Sequence, residues 1–173
     1  MKVALETERL YLRPWEMEDD KDLFFGWAND AVVTKFLTWN PHGAIAATRF
    51  VLQQWISEYE DPKRLNFAIV LKTENKLIGG IDIVGYPEGI PEIGYVLNKS
   101  YWGNGYMTEA CKALLEYLRY LGYRQAKIAA MVDNIGSNRV IEKCGGVLQK
   151  TEWVFRKLKN DEVLMNVYLV SLE

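Results

Sequence analysis

The stretch of the 173-residue chain richest in chemical possibility runs Glu92-Ile93-Gly94-Tyr95-Val96-Leu97-Asn98-Lys99-Ser100-Tyr101-Trp102-Gly103-Asn104-Gly105-Tyr106-Met107-Thr108-Glu109-Ala110. Its first part, Glu92 to Leu97, is a short apolar run that predicts a strand. The strand leads into a glycine-containing turn, and the turn opens a long amphipathic helix. The first-turn amides of such a helix have no internal partners, and with the helix dipole they favour an anion. Gly103 and Gly105 carry no side chain to block close approach, so a pyrophosphate is the natural ligand. The same pattern also serves an ordinary strand-to-helix turn, and the residues alone leave both readings open. Two other phosphate motifs are excluded: no Gly-Lys-Ser/Thr ends the loop, and no third glycine or ribose-binding acid follows at dinucleotide-fold spacing. Metal chemistry finds no support either. Cys111 and Cys144 lack ligand spacing, and the single histidine, His42, cannot complete a zinc site. Both cysteines fall in apolar helical patterns and read as buried thiols.

The elements that must position this segment follow from hydrophobic period. Leu5 to Arg13 alternates and predicts a first strand, stopped by Pro14. Asp19 or Asp20 is expected to cap a short helix carrying Leu23, Phe24 and Trp27. Lys35 to Gly43 reads as an aromatic-rich loop. A second helix then places Val51, Leu52, Trp55, Ile56 and Tyr59 on one face. Asn66 to Leu71 and Leu77 to Val84 form a hairpin around Thr73 to Lys76, and Tyr86 to Pro91 is a loop. The long helix runs from about Gly105 to Leu121, where Gly122 is a natural stop. A strand, Ala126 to Val132, precedes a helix from Asn134 to Cys144 capped by Asp133 or Asn134. Strands Val147 to Arg156 and Glu162 to Val170 close the chain. The order βααβββαβαββ implies one right-handed parallel crossover in the middle, antiparallel hairpins at the flanks, and a mixed α/β (α+β) sheet with helices on both faces.

Length and composition suit one domain spanning residues 1–173. Hydrophobic residues make up 49% and charged residues 25% of the chain, as in ordinary globular proteins. A net charge of −2 offers no bulk attraction for nucleic acid. No apolar run reaches the ~20 residues of a membrane span, and the start carries no signal-peptide pattern, so the expected compartment is the cytoplasm.

Tyr101-Trp102-Gly103-Asn104-Gly105-Tyr106-Met107-Thr108-Glu109-Ala110 resembles the acetyl-CoA signature of the GNAT superfamily, and more narrowly that of the ribosomal-protein N-terminal acetyltransferases. Asp133-Asn134-Ile135-Gly136-Ser137-Asn138-Arg139-Val140-Ile141-Glu142-Lys143-Cys144-Gly145 is similar to the second signature of that subgroup, and Glu8-Arg9-Leu10-Tyr11-Leu12-Arg13-Pro14 to its first strand. The resemblance covers nearly the whole chain in the same order. There are departures. Trp102 stands where the superfamily usually has Gln or Arg, Met107 where Gly or Ala is usual, and Gly146 where Phe is customary. Ile141 occupies the register of a tyrosine that protonates the departing thiolate in many members.

The resemblance implies a mostly antiparallel central sheet with a splayed strand, and a bulge near Tyr95 to Leu97. Backbone groups of Tyr95, Val96 and Leu97 would pair with the pantetheine arm of acetyl-CoA, as a peptide adds to a sheet edge, and one N–H would stabilise the oxyanion. Trp102, Gly103, Asn104, Gly105, Tyr106, Met107 and Thr108 would hold the coenzyme at its pyrophosphate. Asn134 would hold the pantetheine or a water or simply cap its helix, Ser137 would also contact the coenzyme, and Lys143 is either within reach of a phosphate or a solvated lysine. A cationic amine must lose a proton to attack. By resemblance Glu92 supplies a carboxylate acting through water, and Ser137 is the proton donor to the thiolate. Each also has a plain structural reading, as a strand-end acid and a helix first-turn residue. Trp39, His42, Trp55 and Tyr86 are candidate walls of the acceptor site, and Glu58, Glu60 and Asp61 a candidate attraction for a cation. The implied partner is acetyl-CoA with an amine acceptor, either a protein N-terminus or a small amine (polyamine, amino acid or aminoglycoside), in a monomer or homodimer. A non-catalytic acyl-CoA-binding domain is the alternative.

Overall fold

The computed structural model describes residues 3–173. Eight strands form one sheet in the order β1-β2-β3-β4-β5-β6-β8-β7. They are β1 (Leu5–Glu6), β2 (Leu10–Arg13), β3 (Asn66–Leu71), β4 (Lys76–Gly85), β5 (Glu92–Leu97), β6 (Gln125–Met131), β7 (Gly146–Arg156) and β8 (Asp161–Ser171). Five α-helical segments accompany them: α1 (Asp20–Leu23), α2 (Ala31–Thr34), α3 (Ile45–Ser57), α4 (Tyr106–Tyr120) and α5 (Ile135–Lys143). All neighbouring strands are antiparallel except β5 and β6. The α4 crossover between them covers one face, as the strand–helix–strand order requires.

Two apolar clusters lie on the two faces. On one, Met107, Ala110, Cys111, Leu114 and Leu118 of α4 pack on Ile78, Ile81, Ile83 and Ile93. These helix residues recur at the three-to-four spacing that predicted the helix. On the other, Trp15, Leu23, Trp27 and Leu52 pack on Ala68, Val70 and Leu77. β5 divides itself between the faces: Ile93, Tyr95 and Leu97 meet the first cluster, and Val96 the second.

Several expected boundaries move, each for a local reason. The first strand is a hairpin, because Thr7 Oγ1 accepts from the Leu10 amide at 3.0 Å and folds the chain between β1 and β2. The first helical segment opens at Glu16 rather than at Asp19 or Asp20. Asp19 Oδ2 reaches back to accept from the Glu16 amide at 2.9 Å, a capping-box contact. That segment passes through α1 into a π turn, Phe24–Ala28. The extra helix α2 is capped by Asp30, which accepts from the Val32 amide. Asn134, not Asp133, caps α5.

Asn138 ties α5 into the sheet. Its Nδ2 donates to the carbonyls of Met131 (2.9 Å) and Asn134 (2.8 Å), and its Oδ1 accepts from Tyr168 Oη (2.7 Å) and Asn166 Nδ2 (3.0 Å). This amide is buried and fully used, so Asn138→Ala should destabilise the fold by about 2–4 kcal/mol through the partners it orphans. Urea unfolding checks this: the midpoint should fall at unchanged slope.

Candidate functional site

β5 and β6 pair only at Glu92↔Lys127 and Ile93↔Ile128. Beyond Ile93 they part, and the gap widens into a cleft of about 560 Å³ that reaches the starts of α4 and α5. The splay expected from the resemblance is therefore present, but the bulge is not near Tyr95 to Leu97. Pairing of β5 with β4 is regular there. The register shifts between Ile83 and Gly85, opposite Ile93 and Glu92. Past the split β6 keeps its pairing with β8 as far as Met131.

Alternation along an antiparallel ladder decides which backbone groups face the cleft. The Asn98 amide donates to the Ile78 carbonyl, on the β4 side. Tyr95 and Leu97 therefore turn their N–H and C=O groups toward the gap, and Val96 turns its own to β4. Val96 contributes only its side chain to the cleft wall. The Leu97 carbonyl is already engaged, accepting from Trp102 Nε1 at 2.8 Å. Trp102 thus fastens the turn to the strand, which explains a role for Trp at that position.

The turn delivers an open helix end. Gly103 and Gly105 both have φ of 78°, a left-handed conformation that other residues adopt only with strain. Gly105 is the N-cap of α4 and no side chain caps it, so the first-turn amides of Tyr106, Met107 and Thr108 face the cleft without a side-chain acceptor. α5 differs, since Asn134 Oδ1 accepts from the Ser137 amide at 3.2 Å. Arg139 and Lys143 of α5 also border the cleft. Arg139 did not stand out in the sequence, although it lies one helical turn before Lys143 and so shares its face. Asn104 turns away: its Nδ2 donates to the carbonyls of Tyr101 and Trp102, and its carbonyl accepts from Arg9 Nη1. It shapes the turn and does not line the cleft.

A polar clamp fixes α4. Arg9 Nε meets Glu109 Oε2 at 2.6 Å, the Arg9 amide donates to Glu109 Oε1 at 2.8 Å, and Thr7 Oγ1 donates to the same oxygen at 2.6 Å. Burial alone would raise the Glu109 carboxyl, but the hydrogen bonds from Thr7 and Arg9 outweigh it and hold it below its ordinary value. On the other side, Lys99 Nζ pairs with Asp30 at 2.6 Å. That joins the turn to α2, whose Val33 borders the cleft with Phe36 and Leu37.

Ser137 is at the cleft, and its hydroxyl is 2.9 Å from Tyr95 Oη. Tyr95 is held well above the ordinary tyrosine value, chiefly by burial. Ile141 is fully buried, with Gly146 tight against it; a Cβ at Gly146 would fall 2.4 Å from Ile141 Cγ2. A side chain from β5 therefore brings a phenol to Ser137. The signal for it was visible, since Tyr95 alternates with Ile93 and Leu97.

Glu92 is not at the cleft. It begins β5, two residues before Gly94, with Lys127 Nζ at 3.4 Å. The candidate acceptor walls do not all converge. Trp39 and Trp55 join the second cluster, and the His42 ring lies tilted against Trp39 at 4.9 Å with Nδ1 2.7 Å from Thr48 Oγ1. Tyr86 packs instead by Tyr123, on the first cluster. Glu58 is paired with Arg64, while Glu60 and Asp61 are exposed. No described helix is long and apolar enough to cross a membrane.

Known proteins share this architecture. Residues 9–147 match the acetyltransferase (GNAT) domain family. The chain is 29% identical to the uncharacterized N-acetyltransferase YnaD of Bacillus subtilis, over 98% of this chain and 96% of that protein. The GNAT-family acetyltransferase of Bacillus anthracis superposes with a TM-score of 0.82 at 26% identity, covering 98% and 99% of the two chains. A Salmonella typhimurium acetyl transferase that modifies the N-terminal serine of ribosomal protein L7/L12 superposes at 0.84 with 22% identity, covering 99% and 100%. With the split sheet, the uncapped glycine-led helix and this match over most of its length, the chain belongs to the GNAT family of N-acetyltransferases, enzymes that use acetyl-CoA.

Proposed function

We propose that the chain transfers the acetyl group of acetyl-CoA to a primary amine, with a protein N-terminus as the leading acceptor and a small amine as the second reading. The observation that carries this is the joining of an uncapped helix N-terminus to an unpaired strand edge within one cleft. The amides of Tyr106 to Thr108 suit a pyrophosphate, and Arg139 and Lys143 add positive charge beside it. The Tyr95 and Leu97 backbone suits the amide groups of a pantetheine arm, and a free N–H there suits the oxyanion. The fold shared with an enzyme that modifies an N-terminal serine supports the protein N-terminus among possible acceptors.

Ser137, hydrogen-bonded to Tyr95, hands a proton to the departing thiolate. Glu92 acts through water on the amine side, with Lys127 beside it. A thiolate of pKa about 8.5 is a fair leaving group unaided, so the donor's gain should be modest.

Three substitutions test these assignments. Gly105→Val should weaken acetyl-CoA binding, because a β-branched residue at positive φ disturbs the helix start; unchanged affinity by calorimetry removes the site. Ser137→Ala should lower kcat by about 10-fold or more, within or below the range of general acid catalysis, and leave acetyl-CoA affinity intact. A loss of melting temperature with unchanged kcat would show a structural residue instead. Glu92→Gln should lower kcat/KM for the amine at unchanged coenzyme affinity, and steady-state kinetics with full wild-type activity would take Glu92 out of the mechanism.

A further inference from the structure

The face of the sheet under α1–α3 holds an acid that the roles above do not use. Asp82, on β4, is the cross-strand partner of Asn66 on one side and of Gly94 on the other. It shares this face with Gly80, whose absent side chain makes room for the Trp15 ring. Gly94 does the same for Asp82: a Cβ there would stand 3.2 Å from Asp82 Oδ1 and 2.6 Å from Val84 Cγ1. The carboxylate therefore leans over the β5 backbone, one residue before Tyr95, where the strand edge faces the cleft.

The neighbouring polar groups are unevenly matched. Glu58 is paired with Arg64, and Glu92 with Lys127. Asp82 has no hydrogen bond or ion pair among the described residues. Beside it, Asn66 is buried; its Oδ1 accepts from Trp15 Nε1 at 2.7 Å, and its Nδ2 has no partner among the described residues. An unpartnered buried donor next to an unpartnered acid is costly for a fold and calls for a function that repays it.

Resting on the acetyl-transfer reading, we propose that Asp82 is the final acceptor of the amine's proton, and that it selects weakly basic α-amino groups over alkylamines. Asp82 takes one proton from the ammonium. The freed nitrogen forms the N–C bond to the acetyl carbonyl as the C–S bond breaks. The nitrogen passes its second proton to water, the thiolate takes one from Ser137, Ser137 recovers its proton from water, and Asp82 releases its own to solvent before the next turnover. The sum is an ammonium and a thioester giving an amide, a thiol and one proton. Glu92, acting through water, carries that first proton from the ammonium toward Asp82.

The surroundings suit the task. Burial pushes the Asp82 carboxyl up to about 7; Arg64 opposes this, and Glu58 adds to it. Tyr59 also faces it, and Glu92 lies two residues along β5 from Gly94. Proton transfer from an α-amino group of pKa about 8 is then nearly matched, whereas from an alkylamine of about 10.4 it is uphill by roughly three units.

The test follows thiol release from acetyl-CoA by the full chain against pH, using a peptide amide with a free α-amino group and butylamine. The peptide amide should be the better acceptor, with an acid limb centred near 7. Asp82→Asn should lower kcat by about 10²-fold, abolish that limb and keep acetyl-CoA affinity; Asp82→Glu should restore part of the rate. Melting temperatures give a second readout. A carboxyl raised from 3.8 to about 7 stabilises the fold at low pH and loses that contribution as pH climbs through 7. Wild type should thus lose melting temperature relative to Asp82→Asn between those values. A wild-type limb in Asp82→Asn, a limb that moves with Glu92→Gln instead, or a preference for butylamine overturns the proposal and leaves acetyl transfer standing. A wild-type protein that binds acetyl-CoA and acetylates neither amine overturns both.

Discussion

The molecule turns on a parallel strand pair that stops after two residues. Once β5 and β6 part beyond Ile93, the backbone of Tyr95 and Leu97 has no partner strand on that side. Unpaired N–H and C=O groups are tolerable in a protein only where water, a side chain or a ligand can reach them. Trp102 satisfies one, the Leu97 carbonyl. The others border a cleft. The opening is held from both ends: Tyr95 reaches Ser137 across it, and the Asn138 hydrogen bonds keep α5 against β6 and β8 so that the gap cannot close.

Electrostatics follows from the same opening. The chain carries a net charge of −2, yet the cleft is lined by the positive end of α4 and by Arg139 and Lys143. Glu109 lies in the first turn of α4, where its charge alone would compete with an anionic ligand for the helix dipole. Arg9 pairs with it and also stacks over Tyr106 at 4.6 Å, so the acid anchors the helix to β2 while its field is largely cancelled. The opposite face is balanced: Asp82 and Glu92 flank Gly94 there, with Arg64 facing the first and Lys127 paired to the second.

The N-terminal third closes the cleft from the far side. Arg156 of β7 donates to the carbonyls of Lys35 and Leu37, and Lys99 pairs with Asp30. These contacts join α2 and the segment after it to the last hairpin and to the turn before α4. Phe36 and Leu37 thereby become walls of a site whose chemistry lies more than forty residues away in sequence.

Local pattern alone determined much of this protein. Strands Asn66–Leu71 and Glu92–Leu97 fall where their apolar runs begin and end, because buried strands read as continuous apolar stretches. The helix starting at Gly105 was legible from its period and its glycines, since both act within a few residues. The family resemblance rested on contiguous motifs for the same reason. Tertiary structure decided what depends on residues far apart. The position of the bulge was set by how β4 meets β5, not by the composition of β5. The hairpin that Thr7 folds is tied to α4 only because Thr7 and Arg9 bind Glu109, a hundred residues on. Asn104, part of a motif, faces away from the cleft, and Tyr95 Oη enters it, because rotamer and neighbour fix where a side chain points. Asp82 carries no motif at all. Its isolation, its glycine neighbour and its raised pKa arise only when β3, β4 and β5 lie side by side, since burial and cross-strand contact are properties of the assembled sheet.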